Sequence, residues 1–92
     1  MKLLLKRLNE ISKNELNSIS VRGLLYLLLG AKIQREKGKF SLKEIASETG
    51  DSKQRILYVL KKFEKYIENL GNGNYRIGAF LYDKLSKFFE MV

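Results

Sequence analysis

The stretch FSLKEIASETGDSKQRILYVLKK, residues 40–62, decides how this chain folds. Ser41 followed three positions later by Glu44 forms a capping box, in which each side chain can satisfy a backbone amide left free at the start of a helix. Leu42, Ile45 and Ala46 give that helix a short apolar face. Gly50 follows in a position suited to a left-handed turn, and Ser52 is placed to cap a second helix whose apolar positions are Ile56, Val59, Leu60 and Phe63. The spacing predicts two helices joined by a very tight turn.

Upstream, Phe40 is an isolated apolar residue between Lys39 and Ser41, long enough only for a bridge-like strand. Ser20 can cap an earlier helix in which Val21, Leu24, Leu25 and Leu28 form one stripe and Leu29 broadens it, with Gly38 as its stop. Lys32, Arg35 and Lys37 place positive charge in its last turns, where the helix dipole favours it. Leu4, Leu5, Leu8 and Ile11 recur at helical spacing, with Lys2, Lys6, Arg7 and Glu10 mostly opposite, which predicts a short amphipathic N-terminal helix and then a connection over 14–18.

Downstream, Ile67 and Leu70 precede Gly71, Asn72, Gly73 and Asn74, and Tyr75, Arg76 and Ile77 alternate. Asn72-Gly73 between such runs is a strong two-residue hairpin signal. From Ala79 helical spacing returns: Leu81, Leu85, Phe88 and Val92 share a stripe, and Phe80, Tyr82 and Phe89 widen it beyond what one small core needs. The chain has no Pro, no internal repeat and no linker. Its 92 residues suit one domain with one core. That domain divides into an N-terminal helix and connection (1–19), a central unit (20–77) and a C-terminal helix (78–92), and its class is α+β, mostly α.

Eighteen basic against ten acidic side chains give a formal charge of +8, a balance that favours polyanionic partners, nucleic acid before anionic membrane. The excess lies early: residues 1–40 carry nine basic and three acidic side chains, residues 41–92 nine and seven. Without Cys or His the chain lacks disulfides, thiol nucleophiles, the usual zinc ligands and the commonest general base. Neither Asp51, Asp83 nor the glutamates form a recognisable acid–base pair, and there is no glycine-rich phosphate loop, so an enzyme is the least expected class. No cofactor is expected. The apolar run from Leu24 to Leu29 is far short of the roughly 20 residues that span a bilayer, and Lys6 and Arg7 break the N-terminal leucines before signal-peptide length. A cytoplasmic protein is the expectation.

The order helix, short strand, helix, tight turn, helix, hairpin, helix resembles the winged helix-turn-helix superfamily, and the resemblance lies in Phe40 to Ile77. Ala46, Gly50 and Ile56 fall at the fifth, ninth and fifteenth places of a helix-turn-helix beginning at Leu42. They supply a small residue where the helices touch, a glycine for the turn and a branched aliphatic to pin the second helix. Composition adds a likeness to small DNA-binding proteins of archaea and their viruses and plasmids.

The resemblance implies binding of double-stranded DNA, as a transcriptional regulator, with the helix from Ser52 to Tyr66 in the major groove. Ser52, Lys53, Gln54, Arg55, Tyr58, Lys61 and Lys62 would face outward. By chemistry Gln54 suits adenine, Arg55 or Lys53 suits guanine, and Ser52, Lys61 and Lys62 suit phosphates. Arg76 on the hairpin is the residue through which a wing would reach a minor groove or a phosphate. The bland alternative for Lys53, Arg55, Lys61 and Lys62 is an ordinary solvated face, and Tyr58 could pack on a neighbour.

Departures from the family's usual pattern keep a second reading open. Leu57 stands where a DNA-facing residue is common, the wing tip carries no positive charge, and Glu44 and Glu48 make the first motif helix locally acidic. These suit a winged-helix subunit that docks on a protein partner in a replication, transcription or division complex. The wide C-terminal stripe and the N-terminal leucines imply a homodimer through the terminal helices, although a chain this short could use them to close its own core. Membrane attachment through the N-terminal helix is a third, weaker reading.

Overall fold

A computed structural model of the protein describes residues 20–87. The expected N-terminal helix and connection, and Phe88, Phe89 and Val92 of the last helix, lie outside the described residues. Within them the chain runs α1 (Val21–Lys37), β1 (Phe40–Ser41), α2 (Leu42–Thr49), α3 (Lys53–Lys62), β2 (Ile67–Gly71), β3 (Asn74–Ile77) and α4 (Ala79–Ser86). Four helices and a three-stranded antiparallel sheet of order β1-β3-β2 make a mostly helical α+β fold, compatible with the winged helix expected from the sequence. No helix among the described residues is long and apolar enough to cross a membrane.

The helix ends are set by the residues that the spacing singled out. Ser20 accepts a bond from the Gly23 amide at 3.0 Å and caps α1. Both arms of the capping box close at the start of α2: Glu44 N–H donates to Ser41 Oγ at 3.1 Å and Ser41 N–H to Glu44 Oε1 at 3.0 Å. Gly50 ends α2 at φ 77°, a left-handed conformation that only glycine adopts without steric cost, and its amide donates to Ala46 O at 2.8 Å. Ser52 then caps α3 by accepting from the Arg55 amide at 3.2 Å.

The α3 helix is shorter than the expected span to Tyr66. It stops at Lys62, and Phe63 leaves helical geometry at φ −114°, ψ 24°. Residues 63–66 form hydrogen-bonded turns, with Tyr66 N–H donating to Phe63 O at 2.8 Å. The chain has to turn there because Ile67 pairs with Ile77 in the sheet. The hairpin itself follows the sequence signal: Asn72 and Gly73 both have positive φ, 54° and 78°, the pattern of a two-residue primed turn. Leu70 falls in the bulge between the Asn69 and Gly71 pairs and is exposed, so it does not join the apolar face of the strand.

The core gathers around α1. Leu24, Tyr26, Leu27 and Ala31 of α1 are sealed by Phe40 of β1, Ile45 of α2, Ile56 and Leu60 of α3, Ile77 of β3, and Leu81 and Leu85 of α4. The stripe expected on α1 was rotated relative to this: Val21 and Leu25 are only partly buried, whereas Tyr26 and Leu27 are fully buried. The run from Leu24 to Leu29 covers every side of the helix and carries no phase of its own, so its neighbours choose the buried side. Ile56 and Leu60 lock the rotation of α3, since turning both to solvent would forfeit about 3–6 kcal/mol at about 1.5–3 kcal/mol each.

Candidate functional site

Because Ile56, Val59 and Leu60 point into the core, the opposite side of α3 must point out. At about 100° per residue, Gln54, Tyr58, Lys61, Lys62 and Arg55 fall within an arc of roughly 120°, and Lys53 stands in the first turn beside it. Ser52, Lys53, Gln54, Arg55, Tyr58, Lys61 and Lys62 are all exposed. Leu57 is half-buried at the edge of this arc. Ten helical residues at about 1.5 Å each make an exposed ridge roughly 15 Å long, comparable with the roughly 12 Å width of a major groove.

Several of these side chains have intramolecular partners. The Ser52 hydroxyl is the cap acceptor of α3 and retains its O–H donor for another group. Lys62 Nζ lies 4.7 Å from the centre of the Tyr58 ring, a cation–π arrangement on the same helix face. Arg55 Nη1 stands 3.8 Å from Asp51 Oδ1, within ion-pair range but beyond hydrogen-bond length. Arg76 is apart from the group: on β3 its guanidinium meets Glu68 Oε2 on β2 at 2.9 Å.

The structure brings to the start of α3 a group of residues that sequence reasoning missed. Asp51, in the turn between α2 and α3, accepts from Arg22 Nε at 2.7 Å and from the Tyr26 hydroxyl, both on α1. Its side chain is 13% exposed although the loop around it is at the surface. Arg22 Nη2 adds a 3.3 Å contact to Thr49 O at the end of α2. The Arg22 hydrogen bond, helped by that of Tyr26, holds the Asp51 carboxyl below its usual range. Burial, and then the bond to Asp51, pushes the Tyr26 phenol up, and the same carboxylate raises the Arg22 guanidinium. Residues 25 and 29 positions apart meet here, so no local spacing announces them; the one hint is Tyr26, the only polar-tipped side chain between Leu24 and Leu29.

Between the first turns of α1 and the length of α3 lies an open cleft of about 380 Å³. Arg22, Tyr26, Arg55, Tyr58, Val59 and Lys62 are among its walls, and no carboxylate lines it. Three cations from two helices thus border one depression, with Asp51 holding two of them from outside the wall. Outside this cleft, Tyr66 and Phe80 stack at 5.7 Å, with Phe80 63% exposed. No protein-family model, curated protein or solved structure matches this chain.

Proposed function

We propose that the protein is a winged helix-turn-helix DNA-binding module, acting as a transcriptional regulator, with α3 in the major groove of double-stranded DNA. The observation that carries this reading is the outward arc of α3, in which Gln54, Arg55, Tyr58, Lys61 and Lys62 stand exposed, with Lys53 exposed in the first turn beside it, on a helix locked from behind by Ile56 and Leu60. Near the start of such a helix Gln offers a donor and an acceptor to adenine and Arg offers paired donors to guanine, and the lysines further along suit phosphates. The net charge of +8 supplies the long-range attraction to a polyanion.

Fluorescence anisotropy with a random-sequence duplex across a salt series tests the proposal, comparing the parent chain with a Lys53→Ala, Arg55→Ala, Lys61→Ala variant. Binding that weakens steeply with salt and is lost in the variant supports α3 as the interface. Absence of binding at low salt, or binding that the variant retains, overturns it.

A second reading, a docking subunit of a DNA-processing complex, is favoured by one observation of its own. The exposed Tyr66–Phe80 pair lies beside a shallow groove on the α4 side, where an apolar surface of that kind suits a protein contact.

A further inference from the structure

We infer that the cleft between α1 and α3 is a seat for a phosphate group, in which Arg22 and Arg55 are the donors and Asp51 is the residue that orients them. The inference rests on the DNA-binding reading only for the source of the phosphate, since the seat is argued from its own walls. Arg22, Arg55 and Lys62 border the cleft and no carboxylate does. One carboxylate, Asp51, pairs with Arg22 and lies near Arg55 from outside the wall, so the three cations keep a net positive charge, and such a concave surface, open enough to admit an ester oxygen cluster, attracts an anion rather than an apolar ligand.

The geometry narrows the anion to one with several acceptor oxygens. Asp51 engages Arg22 through Nε at 2.7 Å, and Thr49 O takes one bond from Nη2. Of the five N–H donors of a guanidinium this leaves three, including both on Nη1, on a fork that can no longer rotate. Arg55, at 3.8 Å from the other Asp51 oxygen, is drawn toward the same point without giving up a hydrogen bond. Two guanidinium groups held near one carboxylate, with Lys62 further along the rim, match the multiple oxygens of a phosphate ester. The first turn of α1 opens into the same cleft and adds its positive end. Arg55, Tyr58 and Lys62 belong both to the cleft and to the outward arc of α3, so a duplex lying along α3 would bring a backbone phosphate to this place.

Two phosphate sources share this chemistry, a backbone phosphodiester of duplex DNA and a free phosphate ester, and two readouts on the full chain separate them. The first is NMR of the arginine Nε–H and tyrosine ring signals during titration with thymidine monophosphate, against sodium chloride at equal ionic strength. The second is the salt dependence of duplex binding for the parent chain, Arg22→Gln, Arg55→Gln and a Lys32→Gln control. Lys32→Gln removes the same charge from α1 about 15 Å along its axis.

Saturable shifts of the Arg22, Arg55 and Tyr58 signals that Arg22→Gln abolishes show the seat directly. A salt slope lowered by about 0.9 in Arg22→Gln and in Arg55→Gln, but not in Lys32→Gln, shows that a duplex phosphate fills it. Shifts with the monophosphate in a protein that binds no duplex would keep the seat for a free ester and sink the DNA reading. A slope that changes no more in Arg22→Gln than in Lys32→Gln, together with no saturable shift, would overturn the seat while leaving duplex binding through α3 intact.

Discussion

Gln34 of α1 completes the sheet at Ile77 of β3. Its amide nitrogen donates to Ile77 O at 2.9 Å, and its amide oxygen accepts from Ile77 N–H at 2.6 Å. Strand β1 pairs with β3 only at Phe40↔Tyr75 and Ser41↔Asn74. By the same register the next partner of Ile77 would be Gly38, which instead ends α1 in a left-handed conformation. A side chain therefore stands in for the missing strand residue, and both main-chain groups of Ile77 are satisfied next to the core.

Replacing that amide should be costly. Gln34→Leu leaves the donor and acceptor of buried Ile77 without partners, at about 1–3 kcal/mol for an unmet polar group. Urea unfolding should show a lower midpoint with an unchanged slope. A midpoint equal to that of the parent chain would mean that water replaces the amide without loss.

Gly50 isolates a backbone effect. It sits at φ 77° with nothing within 4 Å of the place a Cβ would take, so Gly50→Ala adds no clash and only forces alanine into the left-handed region. The expected loss is about 1–2 kcal/mol, and Gly50→Asn should lose less because asparagine tolerates that region better. Thermal unfolding of the three chains measures the order; alanine at or above asparagine would contradict it.

Acid stability should depend on Asp51. Its folded pKa is lowered, first by the Arg22 hydrogen bond and then by that of Tyr26, so the carboxylate favours the folded state at any pH above the ordinary aspartate value of about 3.9. This contribution is lost as pH falls through the lower folded value. Glu44, held down chiefly by Lys37 and also by Ser41, acts in the same direction. The unfolding midpoint of the parent chain should therefore drop on going from about pH 5 to about pH 2, and that of Asp51→Asn should drop less. Equal drops would remove Asp51 from the acid response.

Arg76 is committed within the hairpin. Arg76 and Glu68 face each other across β3 and β2 in an exposed pair, which by itself contributes little stability. If α3 carries the DNA contact, Arg76→Ala should change duplex affinity less than twofold, whereas Glu68→Gln should tighten binding and steepen its salt dependence by releasing Arg76 and removing a negative charge. A large loss in Arg76→Ala, read by the same anisotropy titration, would return the hairpin to the interface.

Much of the fold was legible because it is written in short-range chemistry. Ser20, Ser41 with Glu44, Gly50, Ser52 and Asn72-Gly73 act on neighbours within a few residues, so spacing alone located the ends of α1, α2 and the start of α3 and the hairpin turn. The outward face of α3 was legible for the same reason: Ile56, Val59 and Leu60 repeat at helical spacing and leave the polar residues one side to occupy. The end of α3 was not, because Phe63 continues the apolar pattern and only the demand that Ile67 meet Ile77 turns the chain early.

By itself, then, the sequence determined the order of the elements, their caps and turns, the charge of the molecule and which side of α3 is polar, since each depends on residues adjacent in the chain or on composition. Only the tertiary structure decided the rotation of α1, the pairing of Arg76 with Glu68, the bridge from Gln34 to Ile77 and the meeting of Arg22 and Tyr26 with Asp51. The bridge and the Asp51 cluster join residues 25 to 43 positions apart, and the Arg76–Glu68 pair, though only 8 apart, depends on the register of the hairpin. The leucine-rich run of α1 would bury any of its sides equally well, so packing against Phe40, Ile56 and Leu81 had to choose one, and that choice turned Tyr26 and Arg22 toward the start of α3.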